Sequence, residues 1–483
     1  MSENLNIANY IKSGTKINFV QVLVSFVIGL VGTIVFYYKL NNYDFIFYTT
    51  AQLTIFFFVS FSMLELGNYL KKFIPVESNI DGISLLSRLV KISTIFFSFS
   101  FSVFVFISFK TKIYQEISVE LPFFLFYIFI SSFIQIFVNF QHEYLTAKKK
   151  FYNLEKLFLF YLNPIRFVFI LIFYINFDSL IYAFTFNIIF RLNQLFVVNL
   201  IFEDKKIFYY KYLLKFEKYR DINLFESLKF SIKNSIFSNY PLILLAISPL
   251  ILGYYYSPND VAVFSLSVTL FNSIKPIFFG LSKLINPLIV RFIHDKNFEL
   301  LKIVIRLFNK IFISIHLWLI VSVWLFLNEK HLTDYFLQYF SYSLFQDFAI
   351  SMMAISLFYI FNLVMQSVYL GNNKERQFFY SSCIGLIMSA LYIYIFFLNQ
   401  VRINFFLISL VVFYCAKYLY LVFDSKLFDF KDLFDTFLIS VVLISSLRTL
   451  EFSNIPLFIL LLFGVTLISF KRIQKLLNNN QLN

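Results

Sequence analysis

The chain has 483 residues, of which 59% are hydrophobic and 14% charged, with a formal net charge of +14 and a mean hydropathy of +0.76. Soluble domains are roughly half apolar and about a quarter charged, so this balance excludes an ordinary water-soluble globule and makes lipid the solvent. The excess of basic residues is what cytoplasmic loops carry to hold a membrane topology, and no nucleic-acid partner is expected.

The first residues, MSENLNIANYIKSGTKIN, are polar. No short apolar region with a small-residue cleavage site follows them, so the first apolar stretch is read as a retained helix. A membrane span needs about 20 mostly apolar residues. The sequence predicts an all-α polytopic membrane protein with 14 such spans, near 17–38, 43–66, 92–109, 121–140, 157–175, 179–201, 235–256, 261–282, 311–327, 348–370, 378–398, 403–422, 433–448 and 455–470. The thirteenth is short and flanked by Asp435 and Arg448. Twelve spans with an interfacial last pair is the alternative. The organisation expected is a six-helix half over 1–202, a basic cytoplasmic connection over 203–234, a second six-helix half over 235–422, and a helix pair with tail over 423–483.

Lys and Arg set the orientation. With the N-terminus inside, 31 of the 41 basic residues fall in cytoplasmic segments. Outside are Lys39, Lys110, Lys112, Lys330, Arg402 and Arg448, and Arg166, Arg191, Lys275 and Lys417 lie within spans. The asymmetry places both termini in the cytoplasm. The segment 203–234 is rich in charge and reads as interfacial amphipathic turns. The two halves share an echo: KLNNYDFIFYTTAQL in the first hairpin and YYSPNDVAVFSLSVTL at the seventh and eighth spans, with Asp44 aligned on Asp260. Two six-helix halves in parallel arrangement, with the substrate path between them, is a recurring transporter plan.

Enzyme chemistry has no foothold in the motifs. The chain lacks a phosphate-binding lysine loop, a GxGxxG, an HExxH and a GxSxG. His142, His294, His316 and His331 are scattered without ligand spacing, and Cys383 and Cys415 sit singly in apolar stretches. No metal or cofactor is expected, and the protein is not read as an enzyme.

Charge inside the bilayer is costly and faces a bundle interior or a water-filled cavity. Arg166 is in the fifth predicted span and Arg191 in the sixth, 11 residues before and 14 after Phe177 in the turn between them. At about 1.5 Å per residue, their depths differ by about 4 to 5 Å. Asn187, Arg191 and Gln194 fall on one helical face. Lys275 stands beside Pro276 in the eighth span, with Asn272 one turn earlier, and a proline there breaks the helix hydrogen bonding. These six residues are the expected substrate-binding set, each open to the alternative of holding the bundle together. Three cations without a carboxylate at the same depth call for an anionic substrate, and the planar fork of Arg suits phosphate oxygens. Lys417 lies nearer the cytoplasmic end of its span, where it can snorkel. Glu65, at the inner end of the second span, is the coupling candidate, with pairing to Lys71 or Lys72 as its alternative.

The opening hairpin VLVSFVIGLVGTIVFYYKLNNYDFIFYTTAQL and the following SFSMLELGNYLKKFIP resemble the start of the polysaccharide biosynthesis (O-antigen flippase) family of the multidrug/oligosaccharidyl-lipid/polysaccharide (MOP) exporter superfamily. The family's R-x-L-G turn, L-G-L end and R-x-I-P segment read here as Lys39-Leu40-Asn41, Glu65-Leu66-Gly67 and Lys71-Lys72-Phe73-Ile74-Pro75. GYYYSPNDVAVFSLSVTLF and INPLIVRF resemble the corresponding second-half segments. Lys39 stands for the usual Arg, and Asn41 and Ala262 for usual glycines. The resemblance implies flipping of an undecaprenyl-diphosphate-linked oligosaccharide, an O-antigen or capsule repeat unit, across a bacterial inner membrane, by alternating access around a cationic central cavity. It implies lipid-linked oligosaccharide and membrane lipids as partners, with a polysaccharide polymerase and chain-length proteins nearby. A multidrug-type small-molecule exporter would carry a buried carboxylate for cation exchange. A polysaccharide polymerase would carry a sizeable outer loop with reactive residues. Neither feature stands out.

Overall fold

The computed structural model describes residues 20–66 apart from 22, 30, 64 and 65; 82–111; 121–147; 151–200; 240–269 apart from 253 and 254; isolated positions in 272–305 and 351–374; 375–397; and 404–425. The chain divides into two compact units, Met1–Gly280 and Leu281–Asn483. All regular structure among the described residues is helical. In the first unit these are α1 (Leu23–Lys39), α2 (Asn42–Met63), α3 (Gly82–Thr111), α4 (Leu121–Ala147), α5 (Phe151–Leu157), a π-turn (Phe158–Leu162), α6 (Asn163–Asn176), α7 (Leu180–Leu200) and α8 (Tyr240–Leu252), followed by α9 over 258–269. The second unit holds α10 (Glu375–Phe397) and α11 (Asn404–Ser425).

Seven helical segments among the described residues are long and apolar enough to cross a membrane: Asn42–Met63, Leu85–Phe106, Leu121–Leu145, Asn153–Asn176, Leu180–Val198, Arg376–Ile395 and Phe406–Ser425. Each falls on a predicted span, so the chain is a multi-pass membrane protein. The predicted spans near 311–327, 433–448 and 455–470 lie outside the described residues.

Within the first unit α2 is the central helix. Phe45, Ala51, Ile55 and Phe58 are buried on several of its faces. The outer helices instead expose large apolar side chains, including Phe99 and Phe106 on α3, Ile175 on α6 and Phe196 on α7. In lipid such a surface is solvated, so apolar exposure there needs no partner. Backbone and hydroxyl groups must be satisfied internally. Thr33 donates to the Gly29 carbonyl, Thr54 to that of Thr50 and Thr185 to that of Ile181, each one turn back along its own helix.

Contact registers fix helix directions. Ser25 meets Asn163, a Cβ on Gly32 would meet Ile170, and Phe36 packs on Phe173. The partners advance together along both chains, so α1 and α6 run parallel. By the same reasoning α2, α4 and α7 run parallel, because Tyr48 meets Asn187 and Gln52 meets Arg191, while Phe47 meets Phe124 and Gln52 meets Tyr127. This is the alternation required when successive spans cross the bilayer in opposite directions.

The turn from α1 into α2 is a cap. The backbone N–H of Asp44 donates to Asn41 Oδ1 at 2.8 Å, and Asn41 Nδ2 donates to Asp44 Oδ2 at 2.9 Å. Ser257 and Asp260 repeat the arrangement ahead of α9, with the Asp260 N–H donating to Ser257 Oγ and that hydroxyl donating to Asp260 Oδ2. Both are reciprocal caps that satisfy an orphan N–H of the first turn. The two caps also touch, Asn42 Nδ2 donating to Asn259 Oδ1 at 3.4 Å. The echo between Asp44 and Asp260 in the sequence is therefore a repeated capping motif.

The π-turn also has a local cause. Pro164 has no N–H to give and its ring crowds the carbonyl four residues back. The chain widens before it, and the Asn163 N–H donates to the Phe158 carbonyl, five residues back. Such single-turn bulges interrupt otherwise regular helices and often mark functional positions. The helix resumes at Asn163 with Pro in its first turn, where a missing N–H costs nothing.

In the second unit α10 and α11 form an antiparallel pair. Gly385 lets the helices close until its Cβ position lies 2.8 Å from the Phe413 carbonyl oxygen. Asn362 Nδ2 donates to the carbonyls of Phe358 and Tyr414, both at 2.8 Å. Lys417 is buried, with its ammonium 4.1 Å from the centroid of the Phe378 ring, a cation–π contact in place of the snorkelling expected from sequence.

Candidate functional site

The first unit brings polar side chains from three parallel helices onto one guanidinium. Arg191, on α7, is only 7% exposed. Its Nη1 donates to Gln135 Oε1 of α4 at 2.5 Å and its Nη2 to Gln52 Oε1 of α2 at 3.1 Å. Arg has donors and no acceptor, so each glutamine must turn its carbonyl oxygen inward. Their NH₂ groups then face away: Gln52 Nε2 donates to the Tyr127 hydroxyl at 2.5 Å and Gln135 Nε2 to Asn139 Oδ1 at 2.8 Å. One turn before Arg191, Asn187 Nδ2 donates to the Tyr48 hydroxyl at 3.2 Å. Tyr127 stacks on Phe184 at 3.9 Å between ring centroids, and both rings are fully buried.

The hydrogen-bond partners of Arg191 among the described residues are neutral. Its Nε has no acceptor among them. A buried cation without a counter-charge is expensive, and it creates a positive potential that an anion would relieve. Arg166 adds to that potential. It lies on the stripe of α6 that carries Asn163, Ile170 and Phe173, within electrostatic reach of both Arg191 and Tyr48. Among the described residues it makes no hydrogen bond and no ion pair.

Arg191 and Asn187 thus meet α2 along one face, as their spacing predicts. Gln194 is half-buried on the next turn of α7 and Asn272 is half-buried beyond α9, and neither hydrogen-bonds to a described residue. Lys275 and Glu65 lie outside the described residues. Gln52, Gln135, Tyr48 and Tyr127 join the site without having been singled out from sequence. Their signal was an isolated amide or phenol inside an apolar run, as in TTAQLTIFFF and SSFIQIFVNF, which a search for charge passes over. No group of three or more metal-ligating side chains occurs among the described residues.

No protein-family model matches the sequence, and no curated protein matches it. Solved structures do match in fold. The lipid II flippase MurJ in an inward closed conformation superposes with a TM-score of 0.61 at 13% identity, covering 96% of this chain and 99% of that one. The eukaryotic MATE transporter AtDTX14 gives 0.56 at 12% identity, with 92% and 99% covered. An outward-facing multidrug resistance MATE transporter of the MOP superfamily gives 0.54 at 13% identity, with 91% and 96% covered. The chain shares its fold with MurJ and with these MATE transporters.

Proposed function

We propose that the protein is a flippase for a lipid-linked oligosaccharide, carried on undecaprenyl diphosphate, across a bacterial inner membrane. The observation that carries the reading is the buried guanidinium of Arg191, whose hydrogen-bond partners among the described residues include no carboxylate, reinforced by Arg166. A fixed positive potential in a low-dielectric interior attracts a diphosphate, and the fork geometry of Arg suits its oxygens. Fourteen spans in two six-helix halves, 1–202 and 235–422, with a final pair and both termini cytoplasmic, complete the proposal, and alternating access is its mechanism. Asn187, Gln194, Asn272 and Lys275 are assigned to the cavity, and Glu65 to coupling. A polysaccharide polymerase and chain-length proteins are its natural neighbours, since they consume a flipped repeat unit.

The test is a deletion strain. The expected result is loss of surface polysaccharide with complete oligosaccharide units accumulating on undecaprenyl diphosphate in the inner leaflet. Units that reach the outer leaflet but stay unpolymerised would contradict the flippase reading and favour a polymerase. Unchanged polysaccharide with altered drug tolerance would favour a multidrug exporter, the reading supported by the MATE transporters that share the fold.

A further inference from the structure

Asn163 is 4% exposed, yet its Nδ2 has no partner among the described residues. The reason lies in a short relay through Gln21, ahead of α1, and Ser25 of α1. Gln21 Nε2 donates to Ser25 Oγ at 3.1 Å, and the Ser25 hydroxyl donates in turn to Asn163 Oδ1 at 3.1 Å. The relay holds the amide oxygen toward α1 and leaves the donor end without a described partner. The π-turn fixes where that end sits, because the Asn163 N–H is spent on Phe158 and Pro164 starts the next helix. Three residues on, along the same stripe, comes the Arg166 guanidinium, which also has only donors and no described partner.

An unmatched amide donor and a donor-only guanidinium three residues apart on a helix are neighbours. Leaving both unmatched in a membrane interior is costly, and the cost is recovered by a ligand that brings acceptors alone. We infer that Asn163 and Arg166 form an oxyanion subsite on α6, facing α1, that takes a phosphoryl or carboxylate group. It is separate from the Arg191 cluster, whose Nη atoms are already engaged by Gln52 and Gln135. The assignment deepens the flippase reading and rests on it for the identity of the cargo: Arg191 supplies fixed potential, while Asn163 and Arg166 supply the hydrogen bonds that read the oxygens.

The test is calorimetric titration of the full-length protein with inorganic diphosphate and with geranyl diphosphate, using geraniol as the uncharged control. Binding of both phosphates but not of geraniol is expected. Arg166→Gln and Asn163→Ala should each weaken it by about tenfold or more, the scale of a hydrogen bond to a charged group. Asn163→Asp keeps the size of the side chain but places a carboxylate beside Arg166. It should abolish diphosphate binding while the thermal midpoint holds or rises, which separates ligand loss from misfolding. Binding unchanged in Asn163→Ala and Arg166→Gln would overturn the subsite, as would geraniol binding as well as its diphosphate. Nanodiscs with and without phosphatidylglycerol distinguish the source of the oxyanion: competition by that lipid supports the subsite with a headgroup as occupant, and its absence supports the prenyl diphosphate. If the deletion strain accumulates no lipid-linked units while the titrations keep their dependence on Asn163 and Arg166, the flippase reading fails and the subsite stands.

Discussion

Arg191 and Gln52 meet at 3.1 Å, Nη2 to Oε1, at a contact between two parallel helices, and Gln52 passes the interaction on to Tyr127. The amide does two things: it satisfies a buried cation and leaves its charge uncancelled. A carboxylate in its place would satisfy the cation and cancel the charge. Gln52→Glu should therefore raise the thermal midpoint of the purified protein and abolish surface polysaccharide. Gln52→Leu, which strands a buried donor at a cost of about 1–3 kcal/mol, should lower the midpoint. A Gln52→Glu strain with normal polysaccharide would remove Arg191 from the transport mechanism.

The two arginines should respond differently to lysine. Arg191 spans Gln135 and Gln52 with separate nitrogens. A lysine ammonium is a point charge that cannot reproduce that fork. Arg191→Lys should therefore destabilise the protein by about 1–3 kcal/mol and lower polysaccharide output. Arg166 holds no such fork among the described residues, so Arg166→Lys should retain stability, while the loss of its planar fork at the oxyanion subsite lowers diphosphate binding and polysaccharide output. Thermal melting of both variants in one detergent, beside a polysaccharide assay, checks the contrast.

The sequence made the membrane class, the seven spans found among the described residues and the nearness of Arg166 to Arg191 readable, because each follows from hydropathy, charge and helical spacing. The partners of Arg191 were not readable, since which amide faces which cation depends on helix rotation and register, quantities that apolar runs do not encode. The relation between Asp44 and Asp260 lay between these cases. Their alignment was visible, but its physical content, the reciprocal caps of Asn41 and Ser257, required coordinates. Asn163 was hidden for a different reason: NPIRF reads as a proline site around an arginine, and only the π-turn shows that the asparagine is held with its donor end free.

The caps give a purely structural prediction. Asn41→Ala and Asp260→Ala each remove one member of a reciprocal pair at a helix start, a loss of about 1 kcal/mol. Each should lower the thermal midpoint by a few degrees without changing diphosphate binding, since neither residue belongs to the cationic cluster. A change in binding with an unchanged midpoint would move these residues out of the capping role.

Gly32 and Gly385 test how closely the helices pack. At both, an added Cβ would lie 2.8 Å from a neighbouring atom. At Gly32 that atom is Cδ1 of Ile170, the end of a flexible side chain that can rotate away. At Gly385 it is the carbonyl oxygen of Phe413, part of the α11 backbone, with the Phe413 ring carbons at 3.1 and 3.2 Å behind it. Rotation cannot relieve a backbone clash, so the helices must separate and lose contacts along their length. Overpacking of this kind costs about 1–3 kcal/mol. Gly385→Ala should reach that range, whereas Gly32→Ala should fall below it and be rescued further by Ile170→Val, which removes the clashing Cδ1. Midpoints measured for the two single variants and the Gly32→Ala/Ile170→Val double variant decide the matter: equal losses at both glycines would mean that the distinction between side-chain and backbone neighbours does not govern this packing.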